Sequence, residues 1–91
     1  MTIADRPTAG PIARPDVTLQ QVGREAILHD AANGKAHVIN GSAARLWELC
    51  DGRPLDDLVT AFAGLYGRVP ETVADDVQRT LAGFRAMGLL A

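Results

Sequence analysis

The chain has little cysteine, few aromatic residues and no strong charge of one sign. Cys50 is its single cysteine, which excludes an internal disulfide framework and a zinc site built on several thiolates. No apolar run approaches the roughly 18 residues of a membrane span, and residues 1–15 lack the apolar segment of a secretion signal. We therefore expect a cytoplasmic protein with no membrane partner.

The charge balance also argues against nucleic acid as the main partner. The formal net charge is −2, with 9 basic and 11 acidic residues, whereas binding to phosphate backbones needs a surplus of Lys and Arg. The length of 91 residues suits one domain. Because 47% of the residues are hydrophobic and the net charge is low, the chain as a whole is not expected to be disordered.

The N-terminal residues differ in composition from the rest of the chain. Residues 1–16 carry Pro7, Pro11 and Pro15 and few large apolar side chains. Prolines at this spacing prevent a helix and disfavour a central strand. The sequence therefore predicts a flexible Pro-rich tail over residues 1–16 and a folded domain over residues 17–91.

Three short strands are predicted at the start of this domain. Residues 17–22 alternate between apolar and polar side chains, and Gly23 and Arg24 supply a tight turn into a second strand over residues 26–30. The pair Asn33-Gly34 is a strong hairpin signal. A third strand follows at residues 35–40, so the three strands form an antiparallel meander.

After residue 41 the apolar period changes from two to about 3.6, which indicates three helices of about 9, 12 and 17 residues. Ser42 is the predicted N-cap of the first helix. Prolines 54 and 70 suit the first turns of the other two. The predicted fold class is α+β, a three-stranded antiparallel sheet followed by three helices in a winged-helix-like arrangement, with one core that contains Trp47, Phe62 and Phe84.

The residues with catalytic or metal-binding potential do not form a recognisable set. His29 and His37 lie on neighbouring predicted strands with Asp30 as the nearest third ligand, but two solvent-facing histidines are the favoured interpretation. Cys50 lies on the apolar face of the first helix, which favours a small buried residue over a nucleophile. We expect no catalytic residues, no metal, no cofactor and no enzymatic activity.

One long stretch of sequence resembles a known family. Residues 28–40 read LHDAANGKAHVIN and lead directly into SAARLWELCDG at residues 42–52. Further matching features are Leu58-Val59 with Phe62, the acidic pair Asp75-Asp76 before Val77, and Met87-Gly88-Leu89-Leu90. In this order they resemble the PqqD family, a peptide-recognition domain (RiPP recognition element) first named in pyrroloquinoline quinone biosynthesis. The resemblance runs from about residue 17 to the end of the chain.

The resemblance implies a non-catalytic module that binds the leader of a ribosomally synthesised precursor peptide. Such a domain presents the precursor to a tailoring enzyme, for example a radical SAM enzyme or a maturation protease. In the family the leader adds as a strand beside the third strand and lies against the third helix. The implied peptide-binding residues are Lys35, Ala36, His37, Val38, Ile39 and Asn40 on the strand, and Asp76, Arg79, Thr80 and Gly83 on the helix.

This sequence departs from the family pattern at two positions. Pro54 stands where the family often has Ser or Thr as a helix cap, and Gly83 is unusual in a helix interior. Gly83 either lets a peptide approach closely or simply weakens the helix by about 1 kcal/mol. The peptide class served stays open: a quinone cofactor, a lasso peptide or another product.

Two other functions are compatible with the order of the elements. A winged-helix DNA-binding regulator is disfavoured, because its recognition helix would carry Glu71, Asp75 and Asp76 against only Arg79 and Arg85. A structural subunit or fragment of a larger synthase is neither supported nor excluded. The open strand edge would also permit an edge-paired or domain-swapped homodimer.

Overall fold

The computed structural model describes residues 10–91, so most of the predicted N-terminal tail lies outside the described residues. The fold is α+β, with an antiparallel sheet in the order β1-β2-β3 followed by three helices, as the sequence predicted. None of these helices combines the length and apolarity that crossing a membrane requires. The elements are β1 (Val17–Val22), β2 (Glu25–Asp30), β3 (Lys35–Asn40), α1 (Gly41–Leu49), α2 (Leu55–Leu65) and α3 (Pro70–Ala86).

Two glycines shape the hairpins of the sheet. Gly23 has φ 63° in the two-residue turn between β1 and β2. Gly34 has φ 65° after a 3₁₀ turn at Ala31–Asn33, where its N–H bonds to the carbonyl of Ala31. No residue other than glycine has positive φ in the described part of the chain. The Asn33-Gly34 pair therefore ends a four-residue loop and is not itself a two-residue hairpin turn.

Asn40 caps α1, so the prediction of Ser42 as the N-cap was wrong. The Oδ1 atom of Asn40 accepts hydrogen bonds from the Ala43 N–H at 2.8 Å and from the Ser42 hydroxyl at 3.0 Å. Asn40 is still in extended conformation, and the helix begins at Gly41, where a Cβ would lie 2.8 Å from the carbonyl oxygen of Arg24. Both residues suit a cap, but only Asn40 stands where the extended strand becomes helix.

One apolar core lies between the inner face of the sheet and the three helices. Trp47, Phe62 and Phe84 belong to it, which confirms the prediction. Leu89, beyond α3, folds back into the core, and its carbonyl accepts a hydrogen bond from the Trp47 indole N–H at 3.4 Å. The buried apolar residues are Val17, Ala26, Leu28, Ile39, Ala44, Leu46, Trp47, Cys50, Leu58, Val59, Phe62, Ala63, Val73, Val77, Leu81, Phe84 and Leu89.

Residues just before β1 also contact the domain. Ala13 bridges to Leu90, and its N–H bonds to the carbonyl of Cys50 at 2.8 Å. Ile12 forms a second isolated bridge with Asp51. Prolines at 11 and 15 leave the amides between them free to make these bonds. Contacts with the domain therefore begin before the predicted boundary at residue 17.

Asp30, at the end of β2, is a buried carboxylate that links the residues before β1 to the folded domain. Its oxygens accept hydrogen bonds from the Asn33 amide at 2.9 Å and from the Arg14 guanidinium at 3.0 and 3.2 Å. Arg14 also donates to the carbonyl of Gly88 at 2.9 Å. These bonds, first that from Asn33 and then those from Arg14, hold the pKa of Asp30 below its ordinary value. The cluster therefore connects the first described residues, the β2–β3 loop and the end of α3.

Candidate functional site

Strand β3 is an edge strand with one unpaired side among residues 10–91. The β2–β3 register pairs Ala26 with Ile39 and Ile27 with Val38. Ile39 and His37 point toward the core side of the sheet, whereas the Val38 side chain is 65% exposed on the outer face. An unpaired strand edge offers backbone donors and acceptors at the spacing of another strand.

The strand register indicates which β3 amides face the open side. A two-residue turn is closed by a hydrogen bond between its flanking residues, here Val22 and Glu25. Because amide directions alternate along a strand, Ala26 then directs its N–H to β3 and pairs there with Ile39. The amides that face the open side are those of Ala36, Val38 and Asn40.

The other edge of the sheet shows the same alternation. The Val17 N–H points away from β2 and donates to the carbonyl of Arg14 at 3.2 Å, as the register requires. The outward amides of β3 have no such backbone partner among residues 10–91. Of the six outward amides, three on each edge strand, only that of Val17 is paired in this way among residues 10–91, so the edge of β3 is open along its whole length.

A groove of about 380 Å³ lies at the C-terminal end of β3, on the helix side of the sheet. Its apolar part includes Phe62 and Tyr66, whose ring centroids are 5.1 Å apart. Phe62 is buried, but Tyr66 is 44% exposed and presents an aromatic surface. The groove is lined by Asn40, Ser42, Ala43, Leu46, Phe62, Tyr66, Arg68, Thr72, Val73, Asp76, Val77, Arg79 and Thr80.

Three charged side chains line this groove. Asp76 and Arg79, one turn apart on α3, form an ion pair at 2.8 Å and are both well exposed. Arg68, between α2 and α3, forms no ion pair or side-chain hydrogen bond with any residue from 10 to 91. The groove thus combines an apolar floor with one cation whose charge is not balanced locally.

The structure brings together some of the predicted site residues and not others. Four of them, Asn40, Asp76, Arg79 and Thr80, line the groove. Residues 35–39 form the open edge that leads to it. Gly83 lies one turn further along α3, outside the groove lining, and a Cβ at this position would meet nothing within 4 Å among residues 10–91 beyond its own helix backbone.

The sequence analysis missed the part of the groove that α2 contributes. Neither Tyr66 nor Arg68 is among the peptide-binding residues that the sequence analysis named. Both flank Gly67, which has φ 63° where α2 ends. An exposed aromatic residue and a cation on either side of a helix-stopping glycine were the available signal, but only the packing of α2 beside α3 shows that they face a groove.

The two histidines lie on opposite faces of the sheet, so the favoured interpretation of two solvent-facing histidines was wrong for one of them. His29 pairs with Ala36, and its Nε2 lies 2.7 Å from the Gln20 side-chain oxygen on the outer face. His37 occupies the next rung, where side chains point the other way. Its Nε2 is buried on the core side and has no hydrogen-bond partner among residues 10–91. No group of residues within 10–91 has a metal-binding arrangement.

Cys50 is buried, as predicted. Its thiol donates a hydrogen bond to the carbonyl of Leu46 at 3.3 Å. Desolvation raises the pKa of the Cys50 thiol to about 11. A thiol in this environment is a poor nucleophile.

Comparison with known proteins found one matching family and one similar solved structure. The sequence model described as coenzyme PQQ synthesis protein D (PqqD) matches residues 25–90. A solved structure described as TbiB1 in complex with the TbiA(beta) leader peptide superposes with a TM-score of 0.70 and 21% identity, covering 87% of this chain and 93% of that chain. At this identity the likeness shows the fold alone. No curated protein matches the chain.

Proposed function

The chain belongs to the PqqD family, and on that premise we propose that it is a non-catalytic module that binds the leader of a ribosomally synthesised precursor peptide. We assign the binding to residues 17–91, in the cytoplasm. The leader adds as a fourth strand beside β3 and continues into the groove at the end of that strand. The open edge of β3 beside an apolar groove is the observation that carries this proposal.

Backbone pairing would supply the affinity that is independent of sequence. The outward N–H groups of Ala36, Val38 and Asn40 and the outward carbonyls of Ala36 and Val38 meet the backbone groups of an extended peptide at every second residue. The peptide would thereby complete the hydrogen bonding of an edge whose outward amides have no backbone partner among residues 10–91. The amide ladder accepts most extended sequences, so selection must come from side chains that reach the groove.

Similarity to a solved complex also supports this function. The similar solved structure is a complex with a leader peptide, and its fold spans most of the present chain. Binding of a leader by this chain requires only the open edge and the groove, and it needs no metal or nucleotide. A regulator that reads DNA with α3 is disfavoured, because Glu71, Asp75 and Asp76 are all exposed on that helix.

Presentation of the bound peptide to a tailoring enzyme, for example a radical SAM enzyme or a maturation protease, completes the proposal. A leader held along β3 leaves the rest of the precursor free to reach an active site on another protein. In the absence of peptide the same edge is open to a second copy of the chain. A homodimer formed in this way would compete with the peptide.

The proposal is tested with peptides translated from short reading frames beside the gene. Each is titrated into the folded protein by calorimetry, in buffer containing EDTA and no nucleotide. We expect at least one peptide to bind, and its leader half alone to retain the affinity. Binding only to the core half, or only after a metal or nucleotide is added, would contradict the proposal.

A further inference from the structure

The groove continues the open edge of β3 on the side of the sheet that faces the helices. Asn40 belongs to both, as the last residue of the strand and as part of the groove lining. A peptide strand beside β3 alternates its side chains between the two faces of the sheet. Ile39 points toward the core side of the sheet. The peptide side chain opposite Ile39 points to the same side and therefore lies over the groove.

The charge inside this groove has the opposite sign to that of the chain. Asp76 and Arg79 neutralise each other across 2.8 Å, which leaves Arg68 as the one charge in the lining without a counterion among the described residues. The groove therefore carries a local charge of +1 in a chain whose formal net charge is −2. A guanidinium presents a planar set of donors that matches a carboxylate.

The apolar and cationic features lie side by side. Tyr66 and Arg68 are separated only by Gly67, and both contribute to the groove. An occupant that fits both carries a large apolar side chain and a carboxylate close to it along the peptide. We propose that Arg68 is a specificity-determining residue of this site and selects leader peptides with an Asp or Glu next to the apolar side chain that enters the groove. This inference rests on the proposed function and identifies the chemistry of the peptide.

The test uses a displayed library of random peptides of about twelve residues, long enough to cover both β3 and the groove at about 3.3 Å per residue. The library is selected against the folded domain and against the Arg68→Glu variant. Arg85→Glu is the matched control, because Arg85 lies on the other flank of α3, beside Pro11 and Leu55. Selection against the unsubstituted domain should enrich Asp or Glu at a fixed distance from a large apolar residue.

Affinities of individual selected peptides then separate the possible outcomes. Arg68→Glu removes an exposed ion pair with the peptide and adds repulsion, so it should weaken binding by about fivefold or more. The loss should shrink at high salt, and replacing the acidic residue of the peptide with Lys should restore binding to this variant. Arg85→Glu should bind like the unsubstituted domain.

Two results would overturn the inference. One is a set of selected peptides with no acidic preference, and the other is an equal effect of Arg68→Glu and Arg85→Glu. In both cases the strand-addition proposal stands if Val38→Pro still abolishes binding of those peptides. If Val38→Pro leaves their binding unchanged, or if no peptide is enriched, the proposed function itself fails.

Discussion

Replacing Val38 with proline tests whether a peptide pairs with the edge of β3. The register directs the Val38 N–H to the open side, and the Val38 side chain is 65% exposed. Proline removes this N–H and places ring atoms where the peptide backbone would approach. Edge strands tolerate proline when the lost N–H faces solvent, so the free domain should keep its fold.

The expected loss of affinity follows from the position of Val38 on the edge. Of the three outward amides, that of Val38 is the middle one, so its removal interrupts the ladder instead of shortening it at one end. One backbone hydrogen bond contributes about 0.5–1.5 kcal/mol. The proline ring also keeps the peptide backbone from approaching β3 closely beside residue 38. We expect binding to weaken tenfold or more, about 1.4 kcal/mol, measured by calorimetry with circular dichroism as the check on folding.

Two further proline variants give this experiment its controls. Gln21→Pro places the same change on the outward side of β1, where no peptide is proposed, and should leave affinity unchanged. Ile39→Pro removes an amide that pairs with Ala26 inside the sheet, at a residue that is buried, and should destabilise the domain itself. If Val38→Pro stays folded and binds with unchanged affinity, the peptide does not pair with β3 and the reasoning is refuted.

Three other predictions concern the helices, the thiol and the buried carboxylate. Gly83→Ala and Gly64→Ala each add a Cβ that meets nothing within 4 Å among residues 10–91 beyond its own helix backbone, and each should stabilise the domain in urea by up to about 1 kcal/mol. The family resemblance extends the peptide site to Gly83, one turn beyond the groove lining, so only Gly83→Ala should also weaken peptide binding; equal affinities would show that the peptide does not reach Gly83. At pH 8, Cys50 with a pKa of about 11 instead of 9.0 should react with a thiol reagent at least about a hundredfold more slowly in the folded than in the unfolded chain, and rapid stoichiometric labelling would contradict its burial. The folded pKa of Asp30 lies below the model-peptide value of 3.8, so its stabilising contribution is complete above that value and is lost as the pH falls through the folded pKa. Asp30→Asn should therefore lower the urea midpoint at pH 6 and reduce its decline on acidification, whereas an unchanged pH profile would exclude this contribution.

Much of the architecture could be predicted from local pattern. The change from a period of two to one of 3.6 after residue 41 placed three strands before three helices, because side-chain burial follows the geometry of each element. Prolines 54 and 70 marked the starts of α2 and α3. The same patterns placed Trp47, Phe62 and Phe84 in one core.

Local pattern was not enough where two residues of similar chemistry competed. Asn40 and Ser42 are both good N-caps, and the choice depended on the residue at which the extended chain turns into α1. His29 and His37 are both strand histidines, and the loop length decided that they occupy neighbouring rungs and so opposite faces. Such choices depend on strand register, which the sequence specifies only through the turns and the core together.

The sequence by itself determined the elements, their order, the apolar core and the likeness to the PqqD family. Only the tertiary structure decided which amides of β3 face outward and which side chains meet in the groove. The groove combines Asn40 with Tyr66, Arg68 and Asp76 from segments well separated along the chain. Their meeting results from the packing of α1, α2 and α3 around shared apolar residues, and no periodicity within any one of those segments encodes it.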